Sequence, residues 1–478
     1  MIKVIARFDQ IADTHFVQEA SMSSQMEQGS KQAASGVTSN PEGANGVWNP
    51  EDQAFWQAQG KRTAWKTLWI TTFCLTLSFA TWFMVSAIVT KLTGIGYKFD
   101  KQQLFWLNAM PGLAAGTLRI FHTFLIPILG TRKTITISTV LLLIPAIGWG
   151  IAIQNPETSY TTFMILAFLA GLGGGNFSSF MPSTSLFFPK KLAGTALGIQ
   201  AGIGNFGVSL VQFVTPIVLG LTLLGTSQSF TNPKTKAVTQ IHLQNASYVW
   251  VPLILIGAIA AWFGLKSVPV KANFREQLDI FKEKHTWLMT SLYLMTFGSF
   301  SGLSAAFPLL TKDVFGKFDG APDPLKVAFL GPLIGAGIRA LSGPISDKLG
   351  GARVTMFSAV GLLTCSIGIT FFSHPTSMDQ WPGFLGFMLG LFLFSGIGNA
   401  STFKQMPMIF PPRQAGGVIG WTSAIAAYGP FIFSVGFGAI IASTGSPTSF
   451  FYGLAAFYLV NIAINYWFYT RRGAEKPC

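Results

Sequence analysis

Arg119 and Arg339 each stand alone in a run of apolar residues, LNAMPGLAAGTLRIFHTFLIPIL and VAFLGPLIGAGIRALSGPI, with glycines at helical spacing and no carboxylate in either run. At mid-bilayer depth such a side chain costs about 2.5 to 3.5 kcal/mol to insert, so it is rare there and marks function. Two cations without acids ask for an anion. Gly112, Gly116, Arg119 and Thr123 share one helical face, and Gly331, Gly335, Arg339 and Gly343 repeat the pattern. Small residues there let a neighbouring helix or a ligand approach the guanidinium. The competing reading is a structural arginine bonded to backbone carbonyls, or one snorkelling to the interface; a second arginine in a matching place weakens it.

The elements that must position these residues are membrane helices. Of 478 residues, 50% are hydrophobic and only 10% charged, outside the range of soluble globular chains. Apolar stretches long enough to span roughly 30 Å of hydrocarbon fall near 66–90, 103–129, 134–153, 161–187, 195–224, 247–265, 286–310, 327–346, 353–373, 382–410, 416–442 and 448–469. The expectation is an all-α integral membrane protein of twelve transmembrane helices. The net charge of +14 comes from basic residues dispersed over short loops, with no basic helix or aromatic RNA-type motif, which argues against nucleic acid. Lys61, Arg62, Arg132, Lys133, Lys190, Lys191, Lys348, Arg353, Arg471 and Arg472 fall on one side if both termini are cytoplasmic, and the opposite loops carry far fewer. Cys74, Cys365 and Cys478 are too dispersed for a metal cluster or an expected disulfide. Residues 1–46 are polar and lack the apolar core of a secretory signal, so they read as a disordered cytoplasmic tail in which Met22 is an alternative start.

The chain repeats itself. Gly173, Gly175, Asn176, Ser178 and Phe180 in GGGNFSSF recur as Gly396, Gly398, Asn399, Ser401 and Phe403 in GIGNASTF, and each run ends at an FP dipeptide, Phe188 with Pro189 and Phe410 with Pro411. Arg119 precedes Gly130 by the interval that separates Arg339 from Gly350. Residues 47–265 and 286–470 are therefore expected to be pseudo-symmetric six-helix halves, joined by a cytoplasmic linker at 266–285 carrying an amphipathic helix and followed by a short tail, 471–478. Halves related by an axis along the membrane normal, with the site between them near the midplane, are a common transporter design. The two arginines would then face each other across a central cavity.

Other residues could join them. In the fifth span Gly198, Gly202, Asn205, Ser209, Gln212 and Pro216 form a small and polar stripe; close helix packing explains the glycines, while the amides need partners in lipid. GIGNFG matches a dinucleotide-loop pattern but lies inside a span, so no nucleotide cofactor is expected. Tyr293 and Phe297 in the seventh span are one turn apart, and Phe177 follows Asn176; core packing is the ordinary role of such rings. Asp347, with Lys348 and Arg353 in GPISDKLGGAR, suggests a conformational latch at a helix end. None of the 18 acidic residues lies near mid-membrane, and His122, one turn from Arg119, is the single titratable neighbour, for which a hydrogen-bonded structural role is the simpler reading. No catalytic dyad or metal cluster appears, which disfavours an enzyme.

GPISDKLGGAR resembles the loop motif of the major facilitator superfamily. GIGNFGVSLVQFVTP and GGGNFSSFMPSTSLFFP, with the two arginines and WNPEDQAFW before the first span, resemble the nitrate/nitrite porter family of NarK type, from about Trp48 to the C-terminus. The resemblance implies the major facilitator fold, no cofactor, nitrate and nitrite as substrates, a monomer in the inner membrane, and a site in which Arg119, Arg339, Asn205 and Tyr293 bind the anion between Phe177 and Phe297. Gly202, Gly204, Gly207 and Gly420 would serve bending and sliding of helices, with Asp347 and Arg353 in gating. Ala426, Ala427 and Tyr428 depart from the family's glycine-rich eleventh helix. Nitrate is planar, so a guanidinium fork can bond two of its oxygens in one plane, while flat walls exclude tetrahedral anions. Without a buried carboxylate the empty cavity would close on uncompensated charge, which favours nitrate/nitrite antiport. Proton-coupled nitrate symport through His122 is the nearest alternative, followed by exchange of another small anion and by an anion channel.

Overall fold

The computed structural model describes residues 48–123, 125–232, 236–268 and 278–478. The expected disordered tail at 1–46 and most of the expected amphipathic linker helix lie outside the described residues. Among the described residues, eleven helical segments are long and apolar enough to cross a membrane: α1 (Gln53–Ile95), α3 (Leu125–Gln154), α4 (Tyr160–Ser185), α5 (Lys190–Val218), α6 (Asn245–Gly264), α7 (Lys284–Phe315), α8 (Pro324–Leu349), α9 (Gly351–Thr370), α10 (Met378–Ile409), α11 (Gln414–Thr444) and α12 (Thr448–Thr470). Between α1 and α3 lies α2, Lys101–His122, whose glutamines, Asn108, Arg119 and His122 make it less apolar. Its place matches the second expected span, so the twelve-helix reading is consistent with the fold.

Helix ends follow local chemistry. The Asp52 carboxylate caps α1 through Ala54 N and Phe55 N, and α2 opens on a capping box between Asp100 and Gln103. Gly130 and Gly350, the glycines that set the repeat offset, both adopt positive φ, 73° and 90°, a region that a side chain rarely enters. They turn the chain at equivalent points after the two arginine helices. The second span is interrupted earlier than expected: α2 stops at His122, and Leu125–Leu129 form a helical turn ahead of the Gly130 break. One feature was not expected at all, a small antiparallel hairpin of β1 (Gln228–Thr231) and β2 (Val238–Ile241) between α5 and α6.

The halves pack with matched pairs. Helix α2 lies along α11 and α5 lies along α8, while within the halves α3 packs on α6 and α9 on α12. Each of these relations has its counterpart when the helices of one half are matched in order to those of the other. The glycine stripes are what allow the approach: a Cβ at Gly112 would come within 2.5 Å of Phe431 N, one at Gly116 within 2.5 Å of the Tyr428 ring, and one at Gly335 within 2.7 Å of the Phe300 ring. Large apolar side chains such as Phe121, Ile128, Phe263, Leu341 and Phe371 point outward and are mostly exposed, the surface a lipid environment requires. A separate aromatic cluster of Trp48, Trp56, Phe187 and Phe188 seats the WNPEDQAFW segment on the α4–α5 turn, and the Glu51 carboxylate accepts from Lys190 N at 2.8 Å, capping α5.

Candidate anion site between the halves

Arg119 is fully buried. Its Nε donates to the Gly174 carbonyl at 2.8 Å and its Nη1 to the Ser423 carbonyl at 2.7 Å, while Nη2 has no partner. Both acceptors stand at helix C-termini: α4 is interrupted after the short turn Leu172–Gly175, and the first part of α11 ends at Ala426. Carbonyls there carry the negative end of the helix dipole and attract a cation. The arginine thus spans both halves without an acid. The rings of Phe177, Phe297 and Trp82 surround it, with centroids at 4.7, 5.1 and 5.5 Å, close enough for cation–π attraction. The backbone-bonded reading therefore holds for two of its three nitrogens and leaves the third free.

Arg339 is 7% exposed and differently held. Its Nη1 has no hydrogen-bond partner, the Phe403 ring lies at 5.8 Å, and the Tyr293 hydroxyl lies within electrostatic reach. Tyr293 also reaches Arg119 electrostatically. Among the described residues neither arginine has an acidic partner. Tyr293 is fully buried, and its hydroxyl, like both amide atoms of buried Asn205, lacks a partner. Unsatisfied buried polar atoms are scarce in folded proteins and each asks for a reason.

The aromatic residues form one stack. A π-helical turn at Leu294–Gly298 interrupts α7, a feature that recurs at functional sites. Tyr293 and Phe297 lie parallel at 5.6 Å with 9° between planes, and Phe297 faces Phe177 across the halves at 6.3 Å and 26°. So Arg119, Arg339, Tyr293, Phe177 and Phe297 do converge, and Asn205 is buried on the α5 stripe. His122 takes the structural role: its Nδ1 meets Ser179 Oγ at 2.9 Å. Gln212 finds partners in Ser304 O and Ser86 Oγ. Tyr428, in the departing stretch of α11, hydrogen-bonds Thr117 Oγ1 at 2.9 Å.

Asp347 pairs with Lys404 of α10, not with Arg353, because α10 runs beside α8 while Arg353 lies beyond the Gly350 turn in a cleft with Tyr469, Thr470 and Cys478. Among the glycines, Gly204 and Gly207 abut Leu75 and the Thr76 carbonyl of α1, whereas Gly202 faces Ala340 at 3.6 Å and Gly420 faces Thr123 at 3.3 Å. The two rims of the site differ. At the α1–α2 and α7–α8 turns the halves are tied by Lys91–Asp323 at 2.7 Å, Lys101–Asp313 at 2.6 Å and Lys312 Nζ on the Thr90 carbonyl at 2.6 Å. Deeper on that side, Asn108 Nδ2 donates to Ala305 O at 2.8 Å. At the opposite rim, Gly194, Gly198, Gly343 and Gly416 have nothing within 4 Å of where a Cβ would lie.

Residues 68–407 match the family model described as Major Facilitator Superfamily. The chain is 62% identical over 435 residues to a Thermus thermophilus protein named probable nitrate/nitrite antiporter NarK2, covering 90% of this chain and 97% of the relative. It is 39% identical over 457 residues to the nitrate/nitrite transporter NarU of Salmonella typhimurium, covering 90% and 96%. Among solved structures, a bacterial homolog of the human lysosomal transporter Spinster, in an inward-facing and occupied conformation, aligns with a TM-score of 0.61 at 12% identity over 83% of this chain and 95% of that one, a likeness of fold. The chain belongs to the major facilitator superfamily and, within it, to the nitrate/nitrite porter family of NarK type.

Proposed function

We propose that this protein exchanges nitrate for nitrite across the inner membrane by alternating access, as a monomer with both termini cytoplasmic and the 266–285 segment linking the halves. Arg119 and Arg339 bind the anion, Asn205 and Tyr293 donate to it, and Phe177 and Phe297 flank it. One observation carries the reading: two buried guanidiniums from equivalent helices, each with an unpartnered Nη, lie by the Tyr293–Phe297–Phe177 stack, Arg119 over Phe177 and Phe297 and Arg339 near Tyr293, with no carboxylate beside them among the described residues. Burying an uncompensated ion costs several kcal/mol, and a small anion supplies the compensation. A flat anion touching both ring faces needs about 7 Å between them, and a tetrahedral oxyanion needs more. The names of the relatives support the same substrates. Exchange follows because the halves reorient at little electrostatic cost only with an anion aboard, and the engagement of His122 with Ser179 speaks against a proton relay there.

Counterflow tests this. In proteoliposomes, uptake of labelled nitrate is expected to require internal nitrite or nitrate and to be indifferent to a protonophore. Uptake into vesicles empty of both anions that collapses with the protonophore would establish symport instead.

A further inference from the structure

Asn399 and Asn176 hold equivalent places in the repeat, yet their surroundings differ. Asn176 Nδ2 donates to Ser78 Oγ at 2.8 Å. Asn399 is just as buried, at 1% exposure, and neither its Nδ2 nor its Oδ1 has a partner. A desolvated amide without hydrogen bonds is a standing penalty, so something absent from the chain itself is the natural partner.

The direction of the amide follows from its neighbours on α10. Phe392, two turns before it, and Phe403, one turn after, share its face. Phe392 rests on Phe300 at 6.2 Å, and Phe403 lies 6.0 Å from Tyr293 and 5.8 Å from the Arg339 guanidinium. On one flank Gly396 abuts Gly335 and Ile338 of α8, on the other Thr402 Oγ1 meets Thr296 Oγ1 of α7 at 3.1 Å. Asn399 therefore lies at the depth of Arg339, in the seam between α7 and α8, on the side where Tyr293 and Phe297 stack.

We infer that Asn399 is a specificity-determining ligand whose Nδ2 donates to the nitrate oxygen that the two guanidiniums leave free. The inference rests on the anion site proposed above. Nitrate offers three equivalent oxygens, whereas nitrite offers two and a nitrogen lone pair, so one more donor beside the guanidiniums, Asn205 and Tyr293 favours nitrate. Being neutral, the amide adds selectivity without further positive charge that would hinder release.

The test is a pair of titrations, nitrate and nitrite, on purified wild-type protein, Asn399→Ala and Asn399→Ser, with thermal melts of each. Nitrate affinity is expected to fall about tenfold in both variants and nitrite affinity by less than about threefold, with melting temperatures at or above wild type because an unsatisfied amide is gone. Equal weakening for both anions, or no weakening for either, would overturn the inference. Should Asn399→Ala fail to fold, the affinity ratio in Asn399→Ser decides alone. Wild-type protein that binds neither anion would sink the anion site itself, whatever Asn399 does.

Discussion

Arg119 and Arg339 occupy matched places in the repeat and have unlike surroundings. Arg119 is gripped by two helix-terminal carbonyls, one from each half, and by three rings. Arg339 has a single ring at 5.8 Å and a tyrosine hydroxyl nearby. The repeat thus sets two cations at equivalent positions, and local backbone breaks differentiate them: α4 is interrupted beside Arg119, while the equivalent α10 runs unbroken over Trp381–Ile409 beside Arg339. Arg119 is a fixed post that also joins the halves. Arg339 is the less restrained arm.

Neutral replacement should separate these roles most sharply. Arg119→Met strands the Gly174 and Ser423 carbonyls and is expected to destabilise the protein by about 3 kcal/mol, from two hydrogen bonds to a charged group. Arg339→Met removes a buried cation with few bonds and is expected to leave the melting temperature unchanged or raised, although nitrate binding is lost in both. Equal melting temperatures for the two variants would erase the distinction. Tyr293→Phe, which deletes a hydroxyl on the Arg339 side, is predicted to weaken nitrate binding about tenfold in an equilibrium titration; an unchanged affinity would remove Tyr293 from the site.

Smaller effects are expected away from the arginines. At the tied rim, Asp323→Ala frees Lys91 and is expected to shift the balance toward the conformation open on that side by about two- to fivefold, read from the labelling rate of a cysteine placed at Ser86. Labelling no faster than in the parent would mean that the ion pair does not hold the rim. The least effect is predicted for His122→Gln: exchange rates within about twofold of wild type from pH 6 to 8, since the ring serves a hydrogen bond to Ser179. A rate that became pH-independent only in the variant would restore the proton-relay alternative.

Several parts of this arrangement were legible in the sequence. Lone arginines in apolar runs, the GGGN and GIGN repeats and the glycines before basic turns carry strong signals, because charge in lipid, close approach and positive φ each restrict the residue type severely. What escaped was set by the backbone or by distant partners. The carbonyls of Gly174 and Ser423 have no side-chain signature. The sequence around Asp347 shows basic residues nearby but not the partner, Lys404, which α10 brings to it across the helix interface. The tie from Asn108 to Ala305 O depends on how α2 meets α7, and the α7 π-turn that stacks Tyr293 on Phe297 is a register change that spacing alone does not reveal. The β1–β2 hairpin did have a cue, alternating residues around Asn232 and Pro233, overshadowed by the helical pattern on both sides.

The two guanidiniums together hold one planar anion in the site proposed here. Nitrate titration of purified Arg119→Lys and Arg339→Lys by calorimetry tests it most directly, since lysine keeps the charge and the approximate length but not the planar two-pronged donor. One nitrate site is expected in wild-type protein, with a loss of at least about a hundredfold in affinity for each variant. Retention of affinity within about threefold of wild type in either one would contradict it.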